Sequence, residues 1–376
     1  AISAFMLSLV TIVFMQNEKV KDASYVFPRS EIYTLGRLNV EGIRERMETL
    51  RHEMEAQPEI ESVAFSSQVP YEQYNSGFDV SAQPGDEASK VSLHMMQMTP
   101  EFLATYDIPL LAGRNLSRDV GNDERRDDSE VLNVLVNELT LNRLGLGSPA
   151  DAINKRFYDL DEDNTLRELV IVGVVPTQNI TGLFNKDKPW IFMYRPENLR
   201  IGSVRFRGTD YMEAVDQVES AWKRIIPEYP MQGRFLDDVF NDVFQILKYM
   251  NMALAGFAFV ALMLALIGLF GLAAFMATQR TREIGVRKVL GASSTQIARL
   301  LVWQFSTPVM WALLLALPAA WFASRNYLNF FADRIETPIV ILLVSGLISV
   351  LLAFGTVAGH AIRISRSSPI LALRYE

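Results

Sequence analysis

No cysteine occurs anywhere in the chain, which excludes disulfides, thiolate nucleophiles and cysteine metal ligands. Histidine is nearly as scarce: His52, His94 and His360 stand singly, without the spacing of a metal site. The glycine-rich loop G-x-x-x-x-G-K-[ST] is missing, so the chain is not expected to bind ATP by itself. G-x-S-x-G, H-E-x-x-H and the dinucleotide glycine pattern are missing too. Acidic residues are plentiful, which leaves a general acid–base pair open, but no pattern points to one. Nothing resembles a basic nucleic-acid face, and the net charge is −7.

Charge is absent locally as well. Residues 1–15 and 249–279 carry none. A helix crosses a bilayer core with about 20 apolar residues, and three stretches meet that length, 251–277, 300–323 and 338–359. Pro308 and Pro318 lie inside the second, where neighbouring helices can satisfy the freed backbone groups. None of the three holds an ionisable residue, which argues against proton-driven or ion-coupled transport. The opening "AISAFMLSLVTIVFM" lacks the basic start and cleavage site of a signal peptide. It reads as the outer end of a fourth span that begins upstream, in a longer protein.

The charge that is present is unevenly divided. Residues 16–248 hold 39 acidic and 26 basic residues, and the remainder holds 4 and 10. The loop at 278–299 carries five Lys or Arg, and the tail adds Arg363, Arg366 and Arg374. By the positive-inside rule both face the cytoplasm, and parity puts 17–248 outside.

That external stretch reads as a mixed α/β domain. Ile43, Met47, Leu50 and Met54 repeat at helical spacing, as do Val215, Val218, Trp222 and Ile225. "ESVAFSS", "VLNVLV" and "ELVIVGVV" are strand-like. In "SKVSLHMMQM", Val91, Leu93 and Met95 alternate onto one face, but Met96 and Met98 fall on the other. "PWIFMY" reads as a core strand, and the polar run 114–130 as a solvated surface loop. After Gly233 no Pro or Gly interrupts the approach to the second span, with Phe235, Val239, Val243 and Ile246 on one stripe. One helix of about 60 Å is expected from 236 to 276, twice the bilayer core.

Between two apolar spans sits "TREIGVRKVLGASSTQIARLL". "EIGVRKVL" predicts a short helix with Val286, Val289 and Leu290 on one side. Gly291 falls where a helix stop needs a left-handed backbone, and Ser293 precedes Gln296 by three, a capping box. An ordered helix–turn–helix at the cytoplasmic face follows. It reads as a protein-docking element, against the simpler alternative of a headgroup anchor.

"GLFGLAAFMATQRTREIGVRKVLGASSTQI" resembles the signature of FtsX-like ABC-transporter permeases of the MacB type. The tail "SSPILALRYE" resembles the family's closing "NPIEALRYE", with Leu371 where Glu is commoner and Ser368 for Asn. "MTPEFLATYDIPLLAGRNLS" and "ELVIVGVVPT" resemble the MacB-like periplasmic core domain. The resemblance implies a membrane α-helical protein with four transmembrane helices, the first truncated, and an α+β periplasmic domain inserted between helices one and two. The implied segments are helix one at 1–16, the periplasmic domain at 17–234 and stalk with helix two at 235–277. The coupling loop at 278–299, helix three at 300–323, a short loop at 324–337, helix four at 338–362 and a cytoplasmic tail at 363–376 complete the chain.

The resemblance further implies a non-enzymatic permease of the bacterial inner membrane, acting in efflux or export by mechanotransmission. The alternative is a non-transporting transmitter that activates an envelope enzyme, as in cell-division FtsX. Arg282, Glu283, Ile284, Gly285, Arg287, Lys288, Val289, Leu290 and Gly291 are the implied seat of an ABC ATPase. No cofactor belongs to this chain; ATP and Mg would sit on that ATPase. Other implied partners are a second permease half-module, fused or homodimeric, a periplasmic adaptor with an outer-membrane channel, and membrane lipids.

Overall fold

The computed structural model describes residues 2–23, 27–70, 76–84, 90–126, 129–160, 166–177, 188–279, 283, 286–287, 290–329, 331, 334–336 and 338–365. Its strands are β1 Ile32–Leu35, β2 Ile60–Ser66, β3 Gly77–Ser81, β4 Val91–Gln97, β5 Ala112–Gly113, β6 Val131–Asn137, β7 Arg156–Leu160, β8 Leu166–Val175, β9 Trp190–Met193, β10 Ile201–Phe206 and β11 Gly233–Phe235. The longer helices are α1 Ile2–Ala23, α2 Met47–Glu55, α3 Glu138–Leu144, α4 Tyr211–Ile225, α5 Leu236–Gln279, α6 Ser294–Leu328 and α7 Pro338–Ser365. Two compact units result, Lys21–Phe244 and Ala1–Val20 with Gln245–Glu376.

The unit Lys21–Phe244 holds two sheets. The smaller is antiparallel, in the order β11-β1-β10-β2. Helices α2 and α4 share a core with it: Met47, Leu50 and Met54 join Val218 and Trp222 against Ile32, Leu35, Val63 and Val204. Their helical spacing makes this possible, since residues three and four apart share one face. The helix expected around Ile43 breaks at Glu45–Arg46 into a single turn and α2, and Ile43 is still buried.

The larger sheet runs β5-β8-β6-β9-β4-β3-β7, and β7 pairs back onto β8, so the strands close on themselves. β6 lies parallel to β8, and β4 to β9. Ile191 and Met193 of β9 enter one cluster with Leu93, Val134, Phe157 and Ile171, while Trp190 and Phe192 enter the other with Met96, Met98 and Leu135. This explains two features of the sequence. "PWIFMY" has no polar alternation because β9 is buried on both faces. The alternation in β4 fails at Met96 and Met98 because they pack under the second cluster.

The run 114–130 is not a plain solvated loop. Leu116 and Asp123 are buried, and a 3-10 turn forms at Gly121–Asp123. The reason is a carboxylate folded inward onto three donor residues, described below.

Three helical segments among the described residues are long and apolar enough to cross a membrane: Leu236–Met276, whose first residues to Phe244 belong to the unit Lys21–Phe244, and Thr307–Leu328 and Pro338–Gly359 in the other unit. Helix α6 covers 300–323 and runs on to Leu328. Arg325 permits this by laying its guanidinium over Trp321, 5.4 Å from the ring centre, as basic residues do near an interface.

Helix α1 continues past residue 16, where the sequence reading ended it, to Ala23. Ile12 packs with Ala320, Leu328, Ile341 and Leu342. Ser8 and Ser345 hydroxyls meet at 2.7 Å. Beyond them Gln16 accepts from the Ile335 amide at 2.9 Å, Asn17 donates to Asn251 at 2.9 Å, and Tyr327 donates to Asn17 at 3.1 Å. Polar residues that look like the end of a span therefore remain helical because neighbouring segments satisfy them.

Candidate coupling site

Five of the nine candidate residues, Arg282, Ile284, Gly285, Lys288 and Val289, lie outside the described residues. The other four form one corner. Glu283, Val286 and Arg287 have helical backbone, and Arg287 Nη2 donates to Glu283 Oε1 at 2.8 Å, one helical turn apart. Leu290 N–H donates to Val286 O at 3.0 Å and Ala292 N–H to Arg287 O at 2.9 Å. The second bond spans six residues with Gly291 at φ +94°, the Schellman arrangement that ends helices.

Only Ala292 separates Gly291 from the next N-cap. Ser293 Oγ accepts from Gln296 N–H at 3.3 Å, and Gln296 Oε1 accepts from Ser293 N–H at 3.0 Å, completing the capping box. The corner is therefore defined on both sides by local hydrogen bonds. It is anchored beneath by Ile297, which is buried with Ala273 and Val357, and by Ala292 packed against them. On the other side Leu290 is 81% exposed and Val286 47% exposed. The fold thus holds an exposed leucine on a glycine-ended turn, beside an exposed ion pair worth only about 0–1 kcal/mol.

Two charged clusters in the unit Lys21–Phe244 escaped the sequence reading. Asp123, fully buried, accepts from Arg114 Nη1 and Nη2 at 2.6 and 2.9 Å, Ser117 N–H at 2.8 Å and Asn133 Nδ2 at 2.7 Å. Burial alone would raise its pKa, but these donors and the Arg114 charge outweigh burial and hold the carboxyl below the usual range. Arg118 reaches both Glu101 and Glu48, the latter at 3.0 Å. Burial disfavours both partners' charges, yet the hydrogen bond between Arg118 and Glu101 prevails, keeping Glu101 below its ordinary value. No local spacing signals these contacts: Asn133 comes from β6, Glu48 from α2 and Glu101 from the turn after β4. Among the described residues no group of His, Asp and Glu is arranged to hold a metal ion.

Residues 255–369, which include the whole corner, match the family model described as FtsX-like permease C-terminal. Comparison with curated proteins gives no match. Among solved structures, the chain is similar to the periplasmic region of MacB from Actinobacillus actinomycetemcomitans, at 12% identity and TM-score 0.37, covering 57% of this chain and 93% of that one. A permease-protein domain from Porphyromonas gingivalis gives 16% identity and TM-score 0.36 over 55% and 90% of the two chains. The extracellular domain of the noncanonic ABC-type transporter YknZ from Gram-positive bacteria gives 9% and 0.35 over 54% and 98%.

Proposed function

We propose, from the premise that residues 255–369 are those of an FtsX-like permease, that this chain is the membrane component of an ABC transporter driven by a partner ATPase. The corner at Val286–Gly291 is the ATPase seat. The observation that carries this reading is Leu290, held 81% exposed on a turn whose opposite side is anchored in the membrane unit. An anchor for lipid headgroups needs only the basic residues, whereas a protein cleft is filled by an apolar knob.

In this reading α1, α5, α6 and α7 are four spans of an inner-membrane protein, and the unit Lys21–Phe244 lies on the periplasmic side. ATP and Mg bind the ATPase, which closes beneath the corner. Helix α5 has 44 residues, about 66 Å at 1.5 Å per residue and about twice a bilayer core. It runs without a break from the last turns of the outer unit into the membrane unit, so it can pass the ATPase stroke outward and drive export. A second permease half-module and a periplasmic adaptor with an outer channel complete the proposed assembly.

The cysteine-free chain gives a clean background for a topology test. Asn122 and Thr295 are exposed. In spheroplasts treated with an impermeant thiol reagent, Asn122→Cys is expected to label at once and Thr295→Cys only after permeabilisation. The opposite pattern would overturn the orientation and, with it, the ATPase seat.

A further inference from the structure

Between Met250 and Ala277, Asn251 is the one polar side chain of α5. It shares a helix face with the buried residues Leu247, four positions before it, and Ala258, seven after. Its amide oxygen accepts from Asn17 Nδ2 on α1 at 2.9 Å. Asn17 is itself buried, and its own oxygen accepts from the Tyr327 hydroxyl on α6 at 3.1 Å. With that oxygen engaged on α6, the Asn17 NH2 group is presented to α5.

Helix α1 is fixed along its axis by polar contacts at several levels. Ser8 meets Ser345 of α7, Gln16 accepts from Ile335 N–H, and Lys19 Nζ donates to Arg334 O at 2.8 Å. Helix α5 is held differently. Met250 and Met252, on either side of Asn251, are exposed, and further along α5 Leu269, Ala273 and Met276 pack with Ile297 and Val357. Apolar contacts are non-directional, and lipid supplies no hydrophobic force between helices. Such a stripe can be remade one turn along. A lone asparagine in an apolar helix interface breaks that degeneracy, because its amide loses its partner in any other register.

We propose that Asn251 is a register pin: paired with Asn17, it fixes the axial position of α5 against α1, α6 and α7. The functional meaning rests on the permease reading, in which α5 carries the ATPase stroke. A one-turn slip is about 5.4 Å, so a rod free to slip absorbs the stroke within the membrane. Asn251 is a positioning residue in this sense, and Asn251→Leu is expected to lower export while the ATPase still turns over.

The deciding test reads the register itself. The cysteine-free full chain in lipid nanodiscs carries nitroxide labels at Phe275→Cys on α5 and Ile339→Cys on α7, both exposed positions. Ala273, beside the first label, packs with Val357, and Ile339 lies 18 residues before Val357 in α7, about 27 Å along the helix. The distance between labels therefore runs largely along the helix axes, and a one-turn slip changes it by about 5 Å. Double electron–electron resonance is expected to give one distance in the native background. In Asn251→Leu a second distance is expected, its population relative to the first raised by about threefold to twentyfold, the worth of an interhelical hydrogen bond in a membrane. Asn17→Leu is expected to give the same second distance, whereas Asn251→Gln, which keeps an amide, stays with the first. A single unchanged distance in Asn251→Leu would overturn the proposal, as would two equally populated distances in the native background. An Asn251→Leu chain that fails to insert, or melts well below the native one, would also overturn it, by making Asn251 a support of the fold rather than of its register. The measurement uses the chain without an ATPase, so its outcome is separable from that of the permease reading.

Discussion

Leu290→Asp is expected to abolish export while the assembled ATPase still turns over, the two activities coming apart in one variant. Leu290 is 81% exposed in the isolated chain, and a leucine fully buried on docking contributes about 1.5–3 kcal/mol. At 1.4 kcal/mol per tenfold, its loss weakens seating by about ten- to a hundredfold. A carboxylate in the same cleft adds its own desolvation cost. Gly291→Val is expected to act similarly by a different route. No atom lies within 4 Å of a Cβ built there, so the obstacle is the backbone, whose φ of +94° is strained for a β-branched residue. That strain is on the order of 1–3 kcal/mol, and it tilts the corner. Gly291→Asn, which tolerates positive φ better, is expected to recover part of the export. Arg287→Gln removes only an exposed pair with Glu283, about 0.3–0.5 kcal/mol on a helix, and is expected to be mild. Export in cells is measured beside the ATPase rate of the purified complex, with membrane insertion checked first. If Arg287→Gln prevents assembly while Leu290→Asp exports normally, the corner holds lipid headgroups and the docking reading fails.

The corner was legible because its signals are local. Gly291 at φ +94° and the Ser293–Gln296 box each use partners within a few residues, and such patterns survive without knowledge of the rest of the chain. The long helix was legible for the same reason, since nothing after Gly233 interrupts it. Ile246, placed on its apolar stripe, is nevertheless 72% exposed, because the stripe faces a core only up to the Phe240–Phe244 turn.

What stayed hidden depends on distant partners. Met96 and Met98 break the alternation of β4 for a reason visible only once the second cluster covers that face. The polar end of α1 stays helical beyond residue 16, with hydrogen bonds from Tyr327, Ile335 and Asn251 that only the folded chain shows. The run 114–130 misled most, because a segment that polar normally faces water.

Asp123→Ala is expected to destabilise the unit Lys21–Phe244 by about 2–4 kcal/mol, since it removes a buried carboxylate on which several partly buried donors converge. Arg114 is half exposed and can turn to solvent, but Asn133 and the Ser117 amide lose the acceptor they share. For a domain of this size that corresponds to a melting temperature lower by about 4–16 °C. The pH dependence has a definite sign. The folded carboxyl titrates below its ordinary value, so its contribution is present above the usual Asp range and fades as pH falls through the lowered folded value. The gap between native and Asp123→Ala chains is therefore expected to be widest near neutrality and to narrow in strong acid, where the native carboxyl is itself protonated. Asp123→Asn keeps one acceptor oxygen but turns an NH2 toward Arg114, so it is expected to lose stability as well, without the acid-dependent part. Thermal melts of the full chain in micelles, followed by tryptophan fluorescence between neutral pH and the lower end of the Asp range, measure all three. A neutral-pH gap under a degree would show that the loop does not hang on this carboxylate, and a gap that widens in acid would reverse the sign of the coupling.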